Sequence, residues 1–240
     1  MNRNDNPLPH VHPLQDWKKI PIHENKEELV SMQSIDSGLL LVKPQYHEKG
    51  IVGALNDCYV RREVAIMLVE AARKLPNGYK LMIWDGWRPF SVQSQLYDAY
   101  VNQLSNDFPE FSEERLIESA RQFVSYPNED EESPAPHFTG GAVDVTIVDS
   151  NGDQLQMGTE FDEFTNSAWT KFYEEKNNTE DLTEDEETFM KNRRLLQHVM
   201  TTSGFTNYPA EWWHFDHGNQ WWAKQSNEPV AKYGLVKLET

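Results

Sequence analysis

The chain has 240 residues, enough to bury one sizeable core, and a formal net charge of −17 that excludes nucleic acid and anionic membrane surfaces as partners. Only 38% of the residues are hydrophobic, yet 12% are aromatic, so bulky rings supply the apolar area that aliphatic side chains do not. The single cysteine, Cys58, excludes an intrachain disulfide and a thiolate metal cluster and reads as buried filler.

Residues 1–20 read as an extended, proline-containing arm. It has no apolar stretch of the kind a secretion signal requires, and no run in the chain approaches the length of a membrane span, so a cytoplasmic location is expected. His10 and His12 have the spacing of a metal pair, but with no anchoring element around them they read as part of a solvated tail. Short strands are expected at 29–32 and 39–42. The spacing of Val64, Ile66, Met67, Leu68, Ala71 and Ala72 predicts a helix starting near Tyr59, capped by Asn56 or Asp57 and stopped by Pro76-Asn77-Gly78. A strand follows over 79–84. Ser91 is the expected cap of a helix reaching about Tyr100, and another amphipathic helix covers 113–124.

The turn-rich stretch 127–136 holds four consecutive acidic residues and three prolines, the obvious domain boundary if one exists. Alternation of Val143, Val145 and Ile147 with Asp144 and Thr146 predicts a strand over 142–148. Residues 153–183 are weakly patterned and acidic. Thr183 and Glu186 form a capping box for a helix that ends before Gly204. A closing strand is expected over 211–215, and residues 218–240 should add a short strand or edge. Strands mixed with helices, without a regular βαβ succession, predict an α+β fold: one domain over 1–240, with a central antiparallel or mixed sheet flanked by helices.

Two stretches carry the chemistry. Glu211-Trp212-Trp213-His214-Phe215-Asp216-His217 gathers ionisable groups among tryptophans, where an ordinary core has no use for them. Pro136-His137-Phe138-Thr139-Gly140-Gly141-Ala142-Val143-Asp144 places an imidazole just before the predicted strand and a carboxylate on it, with two glycines to turn the chain between them. Taken singly, His137 reads as a loop imidazole, Asp144 as a solvent-facing carboxylate and His214 as a hydrogen-bonded interior histidine. Together, His137, Asp144 and His214 supply the two imidazoles and one carboxylate of a catalytic zinc site, with the fourth position open to water. Glu211 is the candidate proton handler beside it.

The pattern His137-x-x-Gly140-x-Ala142-x-Asp144 followed by Glu211-x-Trp213-His214 resembles the signature of the VanX-type zinc D-Ala-D-Ala dipeptidases, within the LAS peptidases that also include D,D-carboxypeptidases. Trp84-Asp85-Gly86-Trp87-Arg88-Pro89, Met157-Gly158-Thr159-x-Phe161-Asp162 and Asn192-Arg193-Arg194-Leu195-Leu196 extend the likeness over most of residues 50–218. The resemblance implies zinc on His137, Asp144 and His214, Glu211 as catalytic base and Arg88 as catalytic arginine. It also implies D-Ala-D-Ala as substrate, hydrolysed to D-alanine in a role of glycopeptide resistance, cell-wall turnover or D-alanine use. A dipeptide carries an ammonium group, for which Asp162 is the candidate anchor. Asp216 and His217 are candidates to orient His214, although strand alternation points His217 away.

Two departures from the family pattern stand out. Ala135 occupies a position where these dipeptidases usually have serine, and the acidic segment 167–188 does not align and is expected to alter the pocket rim. The competing readings are a D,D-carboxypeptidase or peptidoglycan endopeptidase acting on longer peptides, and a non-catalytic zinc-binding protein. The latter would need neither Glu211 nor Arg88.

Overall fold

The computed structural model describes residues 7–8, 14–121 and 124–238. His10 and His12 lie outside them. In chain order the elements are β1 (Leu29–Ser31), β2 (Leu40–Val42), α1 (Gln45–Glu48), β3 (Tyr59–Arg61), α2 (Arg62–Arg73), β4 (Lys80–Asp85), α3 (Phe90–Asp107) and α4 (Glu113–Ala120). They continue with β5 (Ala142–Val148), α5 (Phe172–Asn177), α6 (Glu184–Thr201), β6 (Thr206–Asn207), β7 (His214–Asp216) and α7 (Gln220–Ser226). The fold is α+β. A five-stranded mixed sheet runs in the order β2-β4-β5-β7-β6, parallel only between β2 and β4, and β1 pairs with β3 in a separate small sheet.

β5 is the spine of the sheet. All seven of its residues are buried, because helices and aromatic side chains cover both faces of a central strand. Val143, Val145 and Ile147 face one side of the sheet, while Asp144 and Thr146 face the other, which carries the polar chemistry. α2 buries Val64, Ala65, Leu68, Ala71 and Ala72, spaced along one helical stripe. α6 carries the capping box read from Thr183 and Glu186 and buries Leu195, Leu196, Val199 and Met200.

Several sequence expectations are corrected. Tyr59 does not begin a helix: residues 59–61 pair with β1, and the apolar periodicity takes over only at Arg62. The next helix starts one residue before Ser91, behind Pro89, and extends to Asp107. The closing strand is shifted to His214–Asp216, since residues 208–213 form the turn that carries Glu211. Residues 220–226 form a helix capped by Asn219 rather than a strand. The arm is not extended throughout, for a 3₁₀ turn at Trp17–Lys19 sets Trp17 edge-on against Trp221, with ring centroids 5.9 Å apart.

Arg61 ties the termini to the turn that precedes β5. Fully buried, it donates to the carbonyls of Thr139 (2.7 Å), Glu27 and Gly234 (3.2 Å) and pairs through both terminal nitrogens with Glu24 at 3.1 Å. Removing one partner of a buried charge pair costs about 3–5 kcal/mol. Arg61→Ala is therefore expected to lower unfolding free energy by about that amount in urea titration. A loss under about 1 kcal/mol would show that this hub is dispensable.

Candidate metal centre

Strand register assembles the site. Asp85 at the end of β4 lies opposite Asp144 of β5, after an irregularity in pairing at residues 83–85, and Asp144 lies opposite His214 of β7. Three neighbouring strands thus each contribute an ionisable side chain to one row on one face. His137 enters from a 3₁₀ turn at Pro136–Thr139, which ends at Gly140 with φ of 69°, the left-handed region that favours glycine. Gly141 follows where an added Cβ would collide with the His217 carbonyl. These two residues let the chain pass directly from His137 into β5.

Ligand-capable atoms of His137, Asp144 and His214, all buried, lie within 4.8 Å of one another. His214 Nδ1 is 3.1 Å from Asp144 Oδ1 and 3.2 Å from His137 Nε2, while His137 Nε2 is 3.5 Å from Asp144 Oδ2. The outer ring nitrogens fix the tautomers. The Gly86 carbonyl, 2.7 Å from His137 Nδ1, can only accept, so that nitrogen bears the proton and Nε2 keeps its lone pair. His214 Nε2 lies 3.2 Å from Asp216 Oδ2 and donates to it, leaving the Nδ1 lone pair turned inward. Two imidazole lone pairs and a carboxylate facing one point repel each other unless a cation or proton lies between them. The donor set therefore fits a metal ion, and the buried His–Asp–His group can hold one.

The electrostatics agree. Burial alone would raise the Asp144 carboxyl, but His137 and His214 more than offset it and hold the group below the usual carboxylate range. For His214, burial favours the neutral ring, yet Asp216 and Asp144 outweigh it and raise the imidazole well above its ordinary value. Burial pushes Glu211 up to about 8, against the opposing pull of His214. Glu211 Oε2 is 3.9 Å from His214 Nδ1. The turn carrying Glu211 is held by the buried Asn207, whose side-chain amide donates to the carbonyls of Glu211 (3.0 Å) and His214 (2.8 Å).

Arg88 lies beside Asp144, with Nη2 3.3 Å from Oδ2, and is fixed by Asp85 (2.8 Å), Gln93 (2.5 Å) and the face of Tyr46 (4.7 Å). Asp162 sits on the wall of the same cavity, where it accepts from the Tyr46 hydroxyl at 3.2 Å and pairs with Lys49 at 3.3 Å. Burial raises its carboxyl, with Lys49 and Arg88 pulling it down. The structure thus brings all six candidate residues to one cavity of about 410 Å³.

His217 packs elsewhere, against Trp222 and Phe205, with Nδ1 3.1 Å from the Gly204 carbonyl. No residue of segment 167–188 lines the cavity itself; Trp169, Thr170, Lys171 and Glu175 line a neighbouring one that shares Leu14 and Tyr208 with it. Sequence reading did not single out Asp85, Gln93, Tyr46 or Lys49. Asp85 was readable from its place three residues before Arg88; the others reach the site only through tertiary packing.

A peptidase class is defined here by similarity as well as by site. The D-ala-D-ala dipeptidase family profile, of the M15 peptidases, matches residues 47–232. The chain belongs to that family and is a peptidase. Among similar proteins, D-alanyl-D-alanine dipeptidase of Synechocystis sp. is 29% identical, over 94% of this chain and 98% of its own. D-alanyl-D-alanine dipeptidase of Enterococcus faecalis is 27% identical over 64% of this chain and 70% of its own, and that of Escherichia coli 27% over 58% and 56%. M15 peptidases are metallo-enzymes. Among the described residues, no helix is long and apolar enough to cross a membrane.

The raised His214 fixes the sign of the pH dependence. A proton on this ring must leave when a cation binds, so uptake releases protons and weakens as pH falls. Titration calorimetry with a divalent cation, in buffers of different ionisation enthalpy, measures that release. Asp216→Asn should weaken binding by about 10–100-fold. An unchanged affinity in this variant would rule out its orienting role.

Proposed function

We propose that residues 1–240 act as one zinc peptidase domain that hydrolyses the free dipeptide D-Ala-D-Ala to two molecules of D-alanine in the cytoplasm. The observation that carries this reading is the meeting of a buried His–Asp–His donor set with a carboxyl raised to about 8 in one cavity. The family match and the similarity to D-alanyl-D-alanine dipeptidases support the substrate. A single domain is supported by Arg88, His137, Asp144 and His214 sharing one site from both halves of the chain.

In this reading His137, Asp144 and His214 hold zinc, which when bound acidifies water and polarises a peptide carbonyl. Glu211 takes the proton of the attacking water and hands it to the leaving amine, acting first as base and then as acid. Its raised affinity for protons suits the second task. The first is served because positive charge added to the site draws Glu211 down toward the ordinary carboxylate range. Arg88, held by Asp85 and Gln93, presents guanidinium hydrogens to the oxygen that gains charge during attack, at no cost of reorganisation. Asp162 accepts the substrate ammonium, sharing its carboxylate with Lys49 and Tyr46. The tryptophans around the row keep water from competing for these groups.

Glu211→Gln is expected to lower kcat/KM for D-Ala-D-Ala by about 10²–10⁴-fold while zinc content stays at one ion per chain. Wild-type enzyme should hydrolyse the free dipeptide at least about 100-fold better than an amino-blocked D-Ala-D-Ala tripeptide, which offers Asp162 no ammonium. Preference for the blocked peptide would make the protein a D,D-carboxypeptidase. A fully active Glu211→Gln variant would remove Glu211 from the chemistry.

A further inference from the structure

The cavity is larger than its proposed substrate requires. An apolar cavity of about 150 Å³ accepts benzene. At that occupancy about 410 Å³ accommodates roughly sixteen non-hydrogen atoms, some five more than an alanine dipeptide contains. The surplus has a definite lining. Away from the row of ligands, α3 and the segments beside it present Leu96, Ala99, Tyr100, Val124 and Phe164 to the cavity. These five make an apolar patch, an annex to the site, bordered by the polar side chains of Gln93, Gln103, Arg121 and Ser125.

Its position relative to Asp162 decides which end of a dipeptide it serves. Tyr100 and Phe164 form an edge-to-face pair, with centroids 4.7 Å apart. That pair, Gln103 and Asp162 are shared with a second cavity of about 620 Å³ lined further on by Leu104, Phe108 and Phe111. The annex therefore lies on the Asp162 side. If Asp162 holds the ammonium, the amino-terminal residue is the one held beside the annex.

We infer that the Leu96–Ala99–Tyr100–Phe164 annex is a subsite for a larger apolar side chain on the amino-terminal residue, so that the substrate class extends to dipeptides such as D-Leu-D-Ala. This rests on the dipeptidase reading above and deepens it. Filling the annex with carbon stabilises the bound state through apolar area removed from water, which an alanine methyl leaves unused.

The test compares kcat/KM of the zinc-loaded enzyme for D-Ala-D-Ala, D-Leu-D-Ala and D-Ala-D-Leu. The expected result is a D-Leu-D-Ala value above that for D-Ala-D-Ala and above that for its positional isomer. A ratio of D-Leu-D-Ala to D-Ala-D-Ala at or below one overturns the inference, as does equal use of the two isomers. If D-Ala-D-Ala is cleaved and D-Leu-D-Ala is not, only the subsite fails. If no dipeptide is cleaved, the dipeptidase reading fails with it. Ala99 is solvent-accessible on α3, so Ala99→Trp can fill the annex without disturbing the core. In that variant the ratio should fall at least about tenfold. An unchanged ratio would overturn the assignment by a second route.

Discussion

Cross-strand register is the constraint on which the site depends. Asp85, Asp144 and His214 occupy opposed positions on β4, β5 and β7, so their side chains project from one sheet face at strand spacing. A slip of one residue in either pairing would turn an ionisable group to the opposite, apolar face. The fold guards against this by burying β5 completely: Val143, Val145 and Ile147 have no comfortable alternative to the core. Packing that stabilises the protein therefore also sets the geometry of its chemistry.

The same row is electrically incomplete without a cation. Asp85 and Asp144 pair with Arg88 while Asp216 pairs with His214 Nε2, so with both imidazoles neutral the three carboxylates and one guanidinium leave two net negative charges in a largely buried space. Such a deficit is costly where water cannot screen it. A proton on His214 relieves part of it, and a divalent ion cancels it. Asp85 links the two ends of the site: its Oδ2 lies 2.8 Å from Arg88 and 3.4 Å from His137 Nδ1. An arrangement that holds the proposed oxyanion donor also steadies a proposed ligand.

Much of this was legible in the residues, and for physical reasons. His137, Asp144, Glu211 and His214 are polar groups set among glycine, valine and tryptophan, where only pairing or ligation makes burial tolerable. Alternation announced β5, and the Thr183–Glu186 box announced α6, because both signals are local. The failures were of the opposite kind. β3 was absorbed into a predicted helix because Tyr59–Arg61 owes its strand state to pairing with β1, thirty residues away. Residues 218–240 read as a short strand or edge, but the Asn219 cap starts a helix at 220–226. Tyr46 and Lys49 lie on a four-residue helix with no periodic signal, and they meet Asp162 only through the tertiary fold.

On the proposed assignment, His214 would hold the metal through Nδ1, on its Asp144 side, with Asp216 on the opposite nitrogen. An anomalous difference map collected at the zinc edge from zinc-loaded crystals tests it directly. The account predicts one strong peak bounded by His137 Nε2, an Asp144 carboxylate oxygen and His214 Nδ1, at about 2.0–2.2 Å from each. A peak between His214 Nε2 and Asp216, or none within the His137–Asp144–His214 group, would contradict it.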